Sequence, residues 1–177
     1  MRVIAGEFRS RVLKSLPGLA TRPTPDRLRE SLFSILMPRI EGAVFIDAYA
    51  GTGAVGIEAL SRGARHCIFI ERSRAAAAVI RANLESLNAS NRAAVLIGRA
   101  PELVAKESGD IVFLDPPYDQ PREYEACFEQ LALQPPSLVI AQHAVKHKLA
   151  LEYGKLGHFR EVRQGDNVLS FYRPKDG

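Results

Sequence analysis

The stretch Asp115-Pro116-Pro117-Tyr118 follows the apolar run DIVFL and combines residue types suited to gripping an amine. Proline has no backbone N–H, so Pro116 and Pro117 delete donors, while the Asp115 carboxylate and the Pro116 carbonyl remain as acceptors. Two convergent acceptors match the two hydrogens of an exocyclic NH2. Such an amine is conjugated with its ring and weakly nucleophilic. Drawing its hydrogens into a tetrahedral arrangement frees the nitrogen lone pair, and the carboxylate sits where positive charge then develops. Tyr118 offers a flat face for a base, worth about 1–3 kcal/mol by analogy with base and aromatic pairs. That offsets part of the cost of unstacking the target. The plain alternative is a strand-ending turn in which Asp115 only caps.

A second constellation lies upstream. Gly51, Gly53 and Gly56 satisfy G-x-G-x-x-G between a strand-like and a helix-like segment, and Glu71 stands twenty residues beyond Gly51 at the end of the next strand-like run. This is the fingerprint of a nucleoside-bearing cofactor: the glycines permit close approach and the acid accepts from ribose hydroxyls. Alone it does not separate a nicotinamide dinucleotide from S-adenosylmethionine (SAM), and a tight turn without a ligand is the bland reading. Asp47, just before the glycines, would hold the cationic amino group of a methionine moiety and repel a pyrophosphate. With the amine grip downstream, this favours SAM.

The elements that must position these residues are legible from residue 44 onward. The runs VFIDAY (44–49), HCIFIE (66–71), AAVLIG (93–98), DIVFLD (110–115) and SLVIAQ (137–142) alternate with helical patterns such as SRAAAAVIRANLESLN, where Ser73 is a candidate N-cap. Runs that are apolar throughout and joined by helices predict a parallel sheet covered on both faces, a doubly wound, Rossmann-like α/β fold. In a sheet of order 3-2-1-4-5, strands 1 and 4 are neighbours at the switch point, and the glycine loop and DPPY share one crevice. FREVRQ and VLSFYR flank GDN and predict a terminal antiparallel hairpin. Tyr172 within it reads as packing.

The chain has 177 residues and a formal charge of +4, and the excess is local. Residues 1–40 hold eight Lys or Arg against three acids, whereas the remainder holds 16 against 17. A basic appendage on a near-neutral domain fits a polyanion-binding arm, and a solvated basic face is the simpler reading. RVIAGEFRSRVLKS, broken by Gly6, predicts a short hairpin or extended arm. In TRPTPDRLRESLFSILMPRI, Thr24 can cap, Pro25 fits the first helical position, and Leu28, Leu32, Ile35 and Leu36 share a face that leaves Arg27 and Arg29 outside. The expected division is residues 1–40, a basic hairpin and helix, and residues 41–177, the catalytic domain. Without a bilayer-spanning run or a signal-peptide core, a cytoplasmic monomer is expected. Cys67 and Cys127 read as reduced, packed thiols. His143 and His147 are four apart, as helical metal ligands can be, but no third ligand has suitable spacing and no metal is expected.

DAYAGTGAVGIEALSRGA together with DPPY resembles the class I SAM-dependent methyltransferases that act on exocyclic amines. RVIAGEFRSRVLKS, TRPTPDRLRESLFSIL and GDNVLSFYR resemble the RsmD family, and the likeness covers nearly the whole chain. That resemblance implies methylation of N2 of guanine 966 in 16S ribosomal RNA and a seven-stranded sheet of order 3-2-1-4-5-7-6. It implies that Asp47, Ala50, Gly51 and Gly53 surround the methionine part of SAM and that Glu71 takes its ribose, with Thr52, Arg72, Arg99 and Ala100 alongside. Asp115, Pro116, Pro117 and Tyr118 would hold the guanine. Arg2, Arg9, Arg11, Lys14, Arg22, Arg27 and Arg29 would meet RNA.

Three positions depart from the family pattern. Arg99 precedes Ala100 where an acidic residue usually accepts from the adenine amine of SAM, and arginine cannot accept. Either backbone carbonyls do that work or SAM affinity is reduced. Gln142 stands where Glu is common, and Ser34 where Asn is usual. The competing functions are an adenine N6-methyltransferase on DNA or RNA, a non-catalytic RNA-binding assembly factor and, weakest, a nicotinamide dehydrogenase.

Overall fold

Apolar strands joined by amphipathic helices build one mixed sheet in the computed structural model, which describes residues 1–17 and 24–176. Strands β1 (Val44–Asp47), β2 (His66–Glu71), β3 (Ala93–Ile97), β4 (Ile111–Leu114) and β5 (Leu138–Ala144) are mutually parallel where they pair. Strands β6 (Glu152–Tyr153), β7 (Leu156–Gln164) and β8 (Asn167–Pro174) continue the sheet antiparallel, in the order β3-β2-β1-β4-β5-β8-β7-β6. The predicted seven-strand order is present with one addition. Two-residue β6 folds back onto β7 at the edge, too short to leave any periodicity in the sequence.

Helices α1 (Asp26–Ile40), α2 (Ala54–Ser61) and α3 (Arg74–Ser86) pack with one face of the sheet, while α4 (Ala100–Val104) and α5 (Arg122–Leu131) cover the other. The alternation of each strand feeds both layers: Phe45 and Phe113 join the first core, Ile46 and Val112 the second. Ser73 caps α3 as predicted, its Oγ accepting from the Ala76 N–H at 3.2 Å. Helix α1 starts one residue later than expected. Pro25 occupies its N-cap position, and the Thr24 hydroxyl instead donates to Gln142 Oε1 at 3.4 Å.

The N-terminal segment forms a small hairpin with a single antiparallel bridge, Arg2 to Val12. Val3, Phe8 and Leu13 sink into the first core, and the Ile4 and Ala5 N–H groups donate to the Glu58 carboxylate of α2. Arg29 corrects the sequence reading. It is fully buried, with its guanidinium donating to the Arg2 carbonyl at 2.7 Å and lying 3.7 Å from Glu58. Its aliphatic stem shares the apolar face of α1, and its charge finds a carboxylate there, so it ties the arm to α2 and is withdrawn from any RNA surface. Cys67 and Cys127 are free and buried. No helix among the described residues is long and apolar enough to cross a membrane.

Candidate active site

Beyond Asp47 the chain leaves β1 and lies across its neighbours. The Ala48 N–H donates to the Phe113 carbonyl of β4 at 3.1 Å, and the Ala50 N–H donates to the Ile70 carbonyl of β2 at 3.0 Å. Gly51 and Gly53 take left-handed φ values of 58° and 88°, which side chains resist. A Cβ on Gly51 would meet nothing within 4 Å, so the loop opens into the crevice there. A Cβ on Gly56 would lie 2.3 Å from the Phe69 ring and 2.7 Å from Cys67 Sγ. That glycine exists to seat α2 on β2.

Glu71 braces the loop: Oε1 accepts from the Gly51 N–H at 2.9 Å and Oε2 from the Ser73 N–H at 2.7 Å. Asp47 lies beneath the loop, almost wholly buried, with Oδ2 accepting from the Gly56 N–H at 3.0 Å. Burial pushes its carboxyl up to about 7; the Gly56 amide opposes this and the charge of Glu71 adds to it. One Asp47 oxygen therefore serves α2, a contact the sequence reading did not foresee. Asn83 of α3 joins this loop to the arm. Its amide donates to the carbonyls of Thr52 and Lys14, both at 3.2 Å, and its oxygen accepts from the Lys14 N–H at 2.8 Å.

DPPY emerges from β4, next to β1, so both predicted constellations stand at adjacent carboxyl ends. Asp115 is half-buried, Pro116 buried and Pro117 exposed, and Tyr118 is 84% exposed. The Gln120 N–H donates to the Pro117 carbonyl at 2.9 Å, closing a turn that leads into α5. Tyr124 of α5 then reaches back to donate its hydroxyl to the Gln142 carbonyl. Burial raises the Tyr124 phenol well above its ordinary value, and the negative charge of Asp115 raises it further. Asp115 and Tyr124 therefore lie within electrostatic reach.

Arg99 occupies the N-cap position of α4, exposed, with its guanidinium 3.3 Å from the carboxylate of Glu123 and 3.9 Å from that of Glu102. Glu123 also accepts from the Tyr49 hydroxyl at 3.4 Å, and that hydroxyl lies 3.2 Å from Cys127 Sγ. Burial pushes the Cys127 thiol up to about 12. The charge of Arg99 is thus met by an acid 24 residues away, which no local spacing reveals. Ala100 is buried, Thr52 half-buried and Arg72 exposed.

Arg2, Arg9, Arg11, Lys14 and Arg27 are exposed, and Arg22 lies outside the described residues. Arg11 donates to the Ser86 carbonyl at 2.9 Å. His143 is a buried β5 residue and His147 lies in the following turn, so the two do not share a helix face. Among the described residues no group of three or more His, Cys, Asp and Glu side chains is placed to hold a metal ion.

A parallel sheet reversing at β1 and β4, with a glycine loop and DPPY at the switch point and an antiparallel extension beyond β5, defines a class I methyltransferase fold. The sequence pattern of the family described as Conserved hypothetical protein 95 matches residues 1–173. The chain belongs to this family, the RsmD family of class I methyltransferases.

YlbH of Bacillus subtilis, provisionally described as an rRNA methyltransferase, is 34% identical over 99% of this chain and 100% of its own length. Ribosomal RNA small subunit methyltransferase D of Escherichia coli K12 is 42% identical over 67% of this chain, an alignment spanning 60% of that protein. The solved structure of yhhF from Escherichia coli, provisionally described as a methyltransferase, superimposes with a TM-score of 0.88. It has 30% identity and covers 100% of this chain and 99% of that one.

Proposed function

We propose that the protein transfers a methyl group from SAM to the exocyclic N2 amine of guanine 966 in 16S ribosomal RNA. The carrying observation is that the glycine loop and DPPY stand on adjacent strands, joined by the Ala48 to Phe113 hydrogen bond. The relatives named as ribosomal RNA small subunit methyltransferases support the substrate class.

The residues fit SAM. Open space above Gly51 admits a ligand against the backbone, the Glu71 carboxylate stands at its rim, and Asp47 places a carboxylate under the loop. Bound there, SAM supplies a methyl group activated by its sulfonium sulfur. Asp115 and the Pro116 carbonyl accept the two amine hydrogens, so the nitrogen lone pair is directed away from the guanine ring. The exposed Tyr118 ring stacks on the unpaired base. As nitrogen gains the methyl it becomes cationic, and the Asp115 carboxylate stabilises that charge and takes the departing proton.

Asp115→Ala is expected to lower transfer by about 100-fold or more while calorimetry shows near-normal SAM affinity. Mass mapping of nucleosides after incubation of 16S ribosomal RNA with labelled SAM should yield N2-methylguanine. N6-methyladenine as the sole product would overturn the proposal.

A further inference from the structure

On the α5 side of the sheet, the antiparallel half is covered differently from the parallel half. From Val145 to Leu151 the chain crosses from β5 to β6 without a helix or strand, and a cavity of about 220 Å³ remains beneath it. Strand β8 contributes Ser170 and Tyr172, strand β7 contributes His158, Glu161 and Arg163, and the crossing segment contributes Lys148. The pleat explains the set: Glu161 and Arg163 point to this side, whereas Val162 between them packs into the opposite core.

The chemistry is mixed in a specific way. Lys148 and Arg163 are exposed basic side chains. Glu161 is an exposed carboxylate with an oxygen 3.9 Å from His158 Nε2. His143 lies 2.8 Å from Ser170 Oγ through Nε2 and 3.0 Å from the Ala144 carbonyl through Nδ1. A carbonyl only accepts, so Nδ1 carries the proton and the Ser170 hydroxyl donates to Nε2, leaving the serine lone pairs as acceptors. Burial lowers the His143 pKa, in keeping with that neutral ring. A site for a bare anion has no use for a carboxylate among its cations. A nucleotide presents both an anionic phosphate and a base edge bearing N–H donors. The volume is below that of a drug-sized ligand pocket and suits one base.

Position points the same way. The turn between β7 and β8 and the end of β5 lie at the carboxyl end of the parallel strands, where His143 pairs with Val168 and Val168 with Arg163. His147 stacks on Tyr124 at 5.1 Å, and Tyr124 is the residue on which the Asp115 charge acts. His143, which lines the cavity, also packs edge-on against Tyr124, with ring centroids 6.3 Å apart, so the cavity borders the α5 residue that follows the DPPY turn.

We propose that this cavity holds an unstacked nucleotide of the substrate RNA next to the target guanine, with its phosphate at Lys148 and Arg163 and its base edge at Glu161 and Ser170. The proposal rests on the RNA-methylation reading above. Seizing a neighbour of the target splays the strand and presents the target base to Tyr118.

The test uses the full chain, a 16S ribosomal RNA transcript and two variants, Lys148→Ala with Arg163→Ala, and Glu161→Gln. In the double variant the slope of log affinity against log salt should fall by about 1, since both side chains meet the same phosphate and each lost phosphate contact removes roughly one unit. Its KM for RNA should rise about tenfold or more, with kcat within about twofold and SAM affinity unchanged. Glu161→Gln should raise KM and leave the salt slope intact. Unchanged slope and KM in both variants overturn the proposal. So does a lowered slope with unchanged KM, which marks a phosphate contact outside the productive complex. Saturation by guanosine or adenosine monophosphate without competition from RNA also overturns it. Wild-type protein that binds RNA but transfers no methyl group defeats the functional reading instead, and the slope comparison still decides the cavity.

Discussion

Asp47 sets burial against charge. Its carboxyl, ordinarily near 3.8, is lifted to about 7 under the glycine loop, so near neutral pH it is poised between its neutral and charged forms. The neutral form has no attraction for a cationic ligand. SAM affinity is therefore expected to fall as pH drops below about 7, by up to about tenfold per unit, and Asp47→Asn should flatten the dependence in calorimetry. For folding the sign is opposite. A raised carboxyl pKa makes the charged form the costly one, and that cost is relieved as pH falls from about 7 towards 3.8. At this scale the place of DPPY at the end of β4 was legible because the stretch directly follows an apolar run. Glu123 was not, because its tie to Arg99 joins the start of α5 to that of α4.

Helix α2 and its glycine loop separate two roles that one motif conceals. Gly56→Ala drives a methyl into Phe69 and Cys67 and should cost about 1–3 kcal/mol by overpacking, read as a lower denaturant midpoint. Gly51→Ala has open space but a positive φ, so its stability cost should be about 1–2 kcal/mol and come from the backbone alone. Only the Gly51 change should weaken SAM binding beyond its effect on stability. Equal loss of SAM affinity per unit of lost stability in both variants would contradict this division. The strand and helix pattern from residue 44 to 142 was readable because long apolar runs and 3.6-residue periodicity are strong local signals. The start of α1 was misread because Thr24 is drawn to Gln142, a partner 118 residues away.

Across the molecule, the basic arm is divided between surface and interior. Arg9 and Arg11 are exposed, whereas Arg29 is buried against Glu58. Changing Arg9 and Arg11 to Ala should lower the salt slope of RNA binding by about 1 per residue at unchanged stability. Arg29→Met should do the reverse, costing about 1–3 kcal/mol because the Arg2 carbonyl loses its donor while Glu58 keeps Arg62 and the Ile4 and Ala5 N–H groups, with the salt slope unchanged. Titration of RNA binding at several salt concentrations, paired with urea unfolding, separates the two. An altered slope in Arg29→Met would return that residue to the RNA surface.

The sequence alone determined the alternation of strands and helices, the glycine loop, the donor-poor DPPY stretch and the concentration of positive charge in the first forty residues. Each depends on residues close in the chain, whose backbone and hydrogen-bonding preferences act locally. Only the tertiary structure decided that Arg29 faces inward, that Asp47 serves Gly56 and that Asn83 ties the arm to the loop. It alone left a charged cavity beside the DPPY end of the sheet. Those outcomes depend on which buried charges and amides find partners, and the partners come from elements far apart in sequence.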